Sequence, residues 1–300
     1  MNDQGTNDRD ANEEDLTIQS GEEIEAEHGV ERILVALDPS EHSLAAIEAA
    51  ARLASRLDAE LIGLFVEDVN VRRLADLPFV QEVGFFTAGC RRVETQELSR
   101  QLRVQVGRVR RRFRSTTRRV ETRCMFRQVR GRVAPEVLRA AAEADVVILG
   151  KGAWSPFETE RLTPAVREVL SQAPASTLVL RAGTRVESPM RAVYDGTSLG
   201  DRALSIAARL AEDGHLMVFI LADDPDRASR LREAARERLK ERDLELTFQT
   251  LTESSVSRLA HLVAHEELGT LVLPAGDESM GEEAVLDFLD ETGAPVLLVR

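Results

Sequence analysis

The sequence predicts an α/β fold with two doubly wound, mostly parallel five-stranded sheets in tandem. Three observations predict it. Short apolar runs alternate with segments of helical periodicity from Arg32 onward. The runs are continuously apolar, as strands covered by helices on both faces are. The same order of elements starts again after residue 189. Because helices link consecutive strands, the strands must be mainly parallel, and right-handed crossovers wind each sheet in both directions.

The first half contains five predicted strands and four predicted helices. The strands are 32–38, 59–66, 122–129, 145–150 and 176–181. The helices are 40–57, 94–119, 134–144 and 163–172. Ser40 is placed to cap the first helix, and Pro135 suits the first turn of the third. The segment between the second strand and the long helix is predicted to be irregular, and its apolar part, 74–86, to pack over the ligand face or the second half.

The second half repeats this order. A helix and a strand occupy 204–224, and helices at 228–241, 256–267 and 282–293 alternate with strands at 244–251, 268–276 and 294–300. Its opening strand, 190–195, ends in Asp195 as the first ends in Asp38. A spacing this long indicates a duplicated domain, not a solenoid repeat. We therefore predict an acidic segment 1–29, a first domain 30–182, a linker 183–189 and a second domain 190–300.

Composition excludes several classes of protein. The net charge of −13 argues against a general nucleic-acid binder. The chain has no apolar run long enough for a membrane span, and its acidic N-terminus is unlike a secretory signal peptide. Two cysteines without CxxC spacing fit a reducing compartment, so a cytoplasmic location is expected. Residues 1–29 have too few apolar side chains to offset the entropy of ordering, and disorder is expected there.

Four stretches carry a family resemblance: ILVALDPSEHSLAAIEAAARLA, VRGRVAPEVLRAAAEADVVILGKG, REVLSQAPASTLVLR and GAPVLLVR. On these residues the chain resembles the universal stress protein family in its tandem form. The resemblance implies a Rossmann-like fold and a role in survival under stress. It also implies that the closing strands, 176–181 and 294–300, pair in an intramolecular pseudo-dimer. Association into a homodimer stays open.

The resemblance also implies a nucleotide site. Nucleotide-binding members carry G-x-x-G, a spacer, then G-[ST] after the fourth strand. Gly150 keeps the first glycine, whereas the later positions hold Ala153, Thr163 and Pro164. The family's adenine-side residues correspond to Asp38 and Val66. The candidate site is the following set: Asp38, Val66, Gly150, Lys151, Gly152, Ala153 and Thr163.

The departures from the motif predict that the triphosphate cradle is lost. Pro164 has neither an amide hydrogen nor the hydroxyl it replaces, although it starts a helix well. Ala153 costs about 1 kcal/mol only if its φ is positive. In the second half, 273–284 lacks the spacing and places acidic residues where phosphate would lie.

Two residues of the predicted site, and Asp195 in the second half, each have two interpretations. Lys151 is either an exposed side chain or a point charge on phosphate. Asp38 either caps the following helix or meets an adenine or ribose. Asp195 is interpreted in the same way, and a capping box at 198–201 lies beside it.

The long helix carries a dense arginine cluster. Its members are Arg108, Arg110, Arg111, Arg112, Arg114, Arg118 and Arg119. One interpretation of the cluster is a docking face, for an unknown acidic protein partner through Arg108, Arg111 and Arg112, for nucleic acid or for an anionic membrane surface. The other is a solvated face balanced by the acidic segment or the second domain. Nucleic acid is disfavoured because no aromatic residues are interleaved. An apolar stripe of the same helix is predicted to face the sheet, formed by Val104, Val109, Phe113 and Val120.

Other groups of residues give weaker evidence of function. His261 and His265 share a helix face but have no third ligand nearby, so no metal site is predicted. No G-x-S-x-G elbow occurs, and no catalytic residue is predicted. Cys124 is predicted to be a small core residue.

These observations favour a cytoplasmic stress-response regulatory or binding module with a degenerate nucleotide site, no cofactor and no enzymatic activity. One alternative is an ATP- or AMP-binding sensor, at most a slow ATPase, that uses the first domain. A second alternative is an interaction protein that docks through the arginine-rich helix.

Overall fold

A computed structural model of the chain describes residues 30–70, 73, 81–83, 90–92, 95–118, 121, 123–155, 161–252, 269–275 and 281–300. The strands are β1 Arg32–Leu37, β2 Glu60–Asp68, β3 Gln81–Val83, β4 Cys90–Arg92, β5 Cys124–Gly131, β6 Val146–Gly150, β7 Ser176–Leu180, β8 Met190–Tyr194, β9 His215–Leu221, β10 Glu245–Leu251, β11 Thr270–Pro274 and β12 Val296–Val299. The helices are α1 Glu41–Leu57, α2 Thr95–Thr117, α3 Val133–Ala141, α4 Pro164–Gln172, α5 Ser198–Leu210, α6 Pro225–Leu239 and α7 Glu282–Glu291.

Ten of these strands form one sheet, in the order β10-β9-β8-β11-β12-β7-β6-β1-β2-β5. The strand pairs within each half are parallel, and the closing strands β7 and β12 pair antiparallel, with Leu178 opposite Leu297. The predicted pairing of the closing strands is therefore confirmed. Because that pair is antiparallel, the carboxyl ends of the two sets of parallel strands lie at opposite edges of the sheet.

Helices cover both faces of the sheet, and each face has its own core. Ile33, Val35 and Leu37 of β1 pack with α1, α2 and α5 on one face. Leu34 and Ala36 of the same strand point the other way, into a core with α3, α4 and α7. This alternation is that of a strand buried on both sides, so the doubly wound α/β class is confirmed.

The structure corrects several local predictions. Val104, predicted to face the sheet, is 49% exposed. Val106 is buried against the sheet instead, beside Val109 and Phe113. Val104 lies on the opposite side of the helix because its position is two residues from Val106, about 200° around the axis. Val120 and the helix at 256–267 lie outside the described residues. Between β2 and α2, a stretch predicted to be irregular, β3 and β4 form a short antiparallel pair.

The observed starts of two helices differ from the predicted ones, either by one residue or in the capping group. Ser40 precedes α1, but its side chain does not accept a capping hydrogen bond. Thr197, not Ser198, is the N-cap of α5, where its Oγ accepts the Gly200 N–H at 3.0 Å. The N3 position is then Gly200, which has no side chain to reach back to the N-cap, so the predicted capping box at 198–201 is replaced by a simple N-cap. Helix α2 runs close to its predicted bounds, and α4 begins at Pro164 as predicted.

Candidate functional site

The turn after β6 uses its own backbone amides within the chain. The Lys151 N–H donates to the Leu180 carbonyl at 2.7 Å, and the Ala153 N–H donates to the Gly150 carbonyl at 3.1 Å. The Ser155 N–H donates to the Gly152 carbonyl at 3.4 Å. A phosphate cradle depends on amides that point together into a shared concavity. At this turn they are aimed at protein carbonyls instead.

A fourth amide of the turn donates to Asp38. The Trp154 N–H lies 2.5 Å from Asp38 Oδ2, and Trp154 has a positive φ of 59°. The left-handed position of the turn is therefore Trp154 and not Ala153, which is fully buried. A carboxylate of the chain thus occupies the place of an external anion at this amide. Sequence patterns gave no signal for Trp154, since glycine is the usual residue at such a position.

Asp38 also organises the start of α1. Its Oδ1 accepts the Ser40 N–H at 3.2 Å and the Ser40 hydroxyl at 2.6 Å. Its own N–H donates to Ser43 Oγ at 3.0 Å, and the residue is buried. Asp38 lies two residues before the N-cap residue Ser40 and holds that residue, not an N–H of the helix, so its two interpretations stay predictions. Its second oxygen adds the contact with Trp154 that sequence spacing did not indicate.

Gly150 is where β6 comes closest to α1. A Cβ at Gly150 would lie 2.7 Å from the His42 Cβ and 3.0 Å from the His42 carbonyl carbon. The ring of His42 accepts the Ala182 N–H on Nδ1 at 3.1 Å, so it is fixed in turn from the end of β7. The glycine is therefore required here for helix–strand packing, whether or not a phosphate is bound.

Lys151 is buried, with only 4% of its surface exposed, and this corrects its interpretation as an exposed side chain. Its Nζ donates to the carbonyls of Asp290 and Thr292, each at 2.9 Å. These carbonyls belong to the C-terminal end of α7, where backbone acceptors lack helical partners and the helix dipole favours a cation. The ammonium of the first half thus caps a helix of the second half.

Asp290 also holds the first half through its side chain. Its Oδ1 accepts the Leu162 N–H at 2.7 Å, and its Oδ2 forms an ion pair with Arg167. Backbone and side chain of one residue therefore anchor both ends of the segment that the family motif would use for phosphate. The sequence could not have indicated this, because Asp290 lies far along the chain on a different predicted element.

Thr163 closes the far end of the same segment. Its hydroxyl donates to the Ala153 carbonyl at 2.8 Å and accepts the Val166 N–H at 3.4 Å, as the N-cap of α4. Pro164 follows at the first helical position. Val66, near the end of β2, is buried in the core beneath α3 and α4. The structure thus brings Asp38, Lys151, Ala153 and Thr163 around one turn, whereas Val66 serves the core.

The second half keeps the local arrangement around its own aspartate. Asp195 is buried, and its Oδ1 accepts the Thr197 N–H at 3.0 Å and the Thr197 hydroxyl at 2.7 Å. Its Oδ2 is also buried but has no hydrogen-bond partner in the part of the chain that the structure describes. Residues 276–280, which follow β11, lie outside that part.

The arginine-rich helix presents one face to the core and the other to solvent. Arg112 pairs with Glu48 at 3.1 Å, and Arg110 donates to Gln128 at 2.8 Å and lies over the Phe126 ring. Arg108 and Arg111 are exposed, as predicted for a docking face. Arg112, predicted to belong to that face, is partly used within the chain.

The remaining predicted features have simple outcomes. Cys124 is half-buried at the start of β5. No group of three metal-ligating side chains occurs in the described ranges, and His261 and His265 lie outside them. Within those same ranges, none of the helices is both long enough and apolar enough to cross a bilayer. Of the segment 74–86, predicted to pack over the ligand face or the second half, residues 74–80 and 84–86 also lie outside the described residues.

Comparison with known proteins identifies relatives of the first half and of the whole fold. The model of the universal stress protein family matches residues 29–181. No curated protein matches the chain. A universal stress protein from Archaeoglobus fulgidus DSM 4304 aligns with a TM-score of 0.64 and 15% identity, covering 90% of this chain and 96% of that chain.

Two further solved structures share the fold over both halves. A functionally unknown protein from Pseudomonas aeruginosa PAO1 aligns with a TM-score of 0.56 and 17% identity, covering 91% of this chain and 94% of that chain. The cytoplasmic domain of a prokaryotic cation chloride cotransporter aligns with a TM-score of 0.50 and 11% identity, covering 90% and 95%. At these identities the similarity shows the fold alone.

Proposed function

The chain belongs to the universal stress protein family, and on that basis we propose that it is a cytoplasmic stress-response regulatory module that works by binding partners. In this proposal the first-half nucleotide site is degenerate and serves as an internal joint between the halves. The chain acts as a binding protein and not as an enzyme.

One observation carries the proposal: the groups that would hold phosphate already have partners within the chain. Four amides of the turn after β6 donate to acceptors in the chain. The Lys151 ammonium donates to two carbonyls of the second half. A nucleotide at this turn would have to displace these contacts before it gained any of its own.

Magnitudes favour the closed turn. A hydrogen bond that involves a charged group contributes about 1.5–3 kcal/mol. Releasing the two bonds of Lys151 therefore costs about 3–6 kcal/mol. The whole binding free energy of a millimolar complex is about 4 kcal/mol. A nucleotide complex at the turn would lose most of its binding free energy to this release.

Native mass spectrometry and calorimetry test the proposal on the full chain. We expect the freshly purified protein to show the mass of the chain, 33.2 kDa, with no added nucleotide. We expect titration with ATP or AMP at millimolar concentration to give no heat of binding and no ATP hydrolysis above background. Retained ATP or AMP, saturable binding or hydrolysis would contradict the proposal and favour a nucleotide sensor.

A matched variant shows whether the substituted motif positions cause the loss. Replacing Ala153 and Thr163 by glycine and Pro164 by serine restores the family's pattern on the same scaffold. If the native chain does not bind ATP and this variant does, the motif positions are responsible. If neither binds, the ammonium of Lys151 and the Asp38 carboxylate keep the turn closed by themselves.

A further inference from the structure

One side of α2 is rich in exposed arginines, with Val104 exposed among them. The exposed arginines on this side are Arg103, Arg108, Arg111 and Arg114, followed by Arg118 one residue after the helix ends, and we call these five the arginine face. The opposite side of the helix is buried through Val106, Val109 and Phe113. Arg108, Arg111 and Arg118 recur at spacings of three and seven residues, so they lie along one line of the helix.

The arginine face shares its helix with a single carboxylate. Glu97, in the first turn, is the one carboxylate of α2. Helix α6, which occupies the equivalent position in the second half, also has many arginines but carries Asp226, Glu233 and Glu237 among them. Arg236 pairs there with Glu233 at 3.5 Å, and Arg238 pairs with Asp201 of α5. Among the described residues, no ion pair joins the arginine face to a carboxylate, so its charge is unneutralised.

The chain itself contains a segment of complementary charge. Residues 1–29, which lie outside the described residues, contain ten aspartates and glutamates and a single arginine. This is a large part of the acidic excess of a chain whose net charge is −13. Opposite surface charges of this density attract each other over a Debye length of about 10 Å at 0.1 M salt.

The geometry of the fold brings this segment to the arginine face. Val30, the first described residue, packs into the same core as Val109 and Phe113, and therefore lies on the α2 side of the sheet. Helix α2 leads into β5, which is parallel to β2 and so to β1. The C-terminal end of α2, with Arg114 and Arg118, therefore lies at the edge of the sheet where β1 begins.

The lengths also match. A flexible segment of 29 residues has a root-mean-square end-to-end distance of about 30 Å. Helix α2 has 23 residues and is about 35 Å long. A segment that leaves the sheet at Val30 can therefore reach most of the arginine face from Arg118 towards Arg103.

We propose that residues 1–29 dock on the arginine face of α2 as an intramolecular cover. The attachment at Val30 holds the acidic side chains at a high effective concentration near the arginines. An acidic partner then has to displace the cover before it reaches the helix. This inference rests on the described surface of α2 and is independent of whether the turn after β6 holds a nucleotide.

Zero-length cross-linking on the full chain tests the cover directly. The sequence has two lysines, Lys151 and Lys240, and Lys151 is buried. In the variant Arg111→Lys/Arg118→Lys, each new amine keeps the positive charge and lets a carbodiimide join it to a nearby carboxylate. We expect peptide mass spectrometry to find residues 1–29 joined to positions 111 and 118. The control variant Arg227→Lys/Arg230→Lys places two equally exposed lysines on α6.

Docking predicts about tenfold more cross-links to residues 1–29 from α2 than from α6, because it raises the local concentration of carboxylates. The excess should vanish near 1 M salt, where the Debye length is about 3 Å. Equal yields from the two helices would overturn the proposal. Residues 1–29 could instead dock on a second copy of the chain, and mixing isotope-labelled with unlabelled chains distinguishes this case. Cross-links between labelled and unlabelled chains would overturn the intramolecular cover.

Discussion

The first strand of each half ends in a buried aspartate, and the two aspartates differ in one contact. Oδ1 of Asp38 and of Asp195 accepts the N–H and hydroxyl of the residue two positions on, Ser40 or Thr197. Oδ2 of Asp38 accepts the Trp154 N–H, whereas Oδ2 of Asp195 has no partner in the described part of the chain. The local turn is thus present in both halves, whereas within the described ranges the long-range contact is present in the first half alone.

The ends of the last helices show a reciprocal arrangement. Lys151 of the first half donates to carbonyls at the end of α7, and the Arg300 guanidinium donates to the Leu170 and Ala173 carbonyls at the end of α4. Burial lowers the pKa of Arg300 from its usual value. Each half therefore caps the last helix of the other with a cation. The antiparallel pairing of β7 and β12 makes this possible, because it brings each carboxyl edge beside the other half's helix end.

The largest expected effect is the loss of one of these cations. Lys151→Met removes two charge-assisted hydrogen bonds and leaves the Asp290 and Thr292 carbonyls without this donor. We expect the free energy of unfolding to fall by about 3–6 kcal/mol. Urea denaturation measures it as a lower midpoint with an unchanged m-value.

The second lysine is the matched control. Lys240 is exposed and pairs with Glu237 on its own helix. Lys240→Met should therefore leave the midpoint unchanged, since exposed ion pairs contribute little. Equal midpoints for the two variants would mean that the bonds of Lys151 do not hold the halves together.

The two aspartates give the next effect. In Asp38→Asn one oxygen is kept for Ser40, but the amide nitrogen then faces the Trp154 N–H, so two donors meet. We expect a loss of about 1–3 kcal/mol in the free energy of unfolding. Asp195→Asn places its nitrogen where no donor of the described chain lies, and a loss of less than about 1 kcal/mol is expected. The difference between the two urea midpoints is the measurement. Equal losses would contradict the difference in contacts between the two aspartates.

The sequence was sufficient for the periodic and local features. Four features were predicted: the continuous apolar strands, the order of elements, the start of α4 at Thr163-Pro164 and the pairing of the closing strands. The pairing was predicted from the family resemblance. These features depend on neighbouring residues or on the repeat itself. Lys151 could not be predicted in the same way, because its partners lie at the other end of the chain and depend on how the halves pack.

The candidate site shows the same limit. The motif comparison predicted that a phosphate cradle is absent, and it treated each substituted position by its own chemistry. It did not indicate that Trp154 takes the left-handed position or that Asp38 accepts its amide. Positive φ at a tryptophan is uncommon, and only the surrounding contacts make it acceptable. No sequence spacing predicts long-range contacts of this kind.

The smallest effect at neutral pH concerns the residue before each aspartate, Leu37 in the first half and Tyr194 in the second. Tyr194 is buried and its hydroxyl donates to Asp201 at 3.1 Å. Burial, and next the negative charge of Asp201, raise the pKa of Tyr194 to about 12. Because the folded pKa lies above the unfolded value of about 10, the neutral phenol stabilises the fold below pH 10. That contribution is lost as pH rises to about 12.

Tyr194→Phe should therefore remove the fall in unfolding free energy over this window, with a loss of about 0.5–1.5 kcal/mol at neutral pH for the missing hydrogen bond. The chain has one tyrosine, so tyrosinate absorbance reports its ionisation without interference. Urea midpoints measured across the same pH range for both proteins complete the test. Two outcomes would contradict the prediction: ionisation of the phenol near pH 10 in the folded chain, or the same loss of stability over this pH window in the phenylalanine variant as in the native chain. Leu37 cannot ionise, so of these two residues Tyr194 alone makes stability depend on pH, and the two strand ends differ in this as Asp38 and Asp195 differ in their contacts.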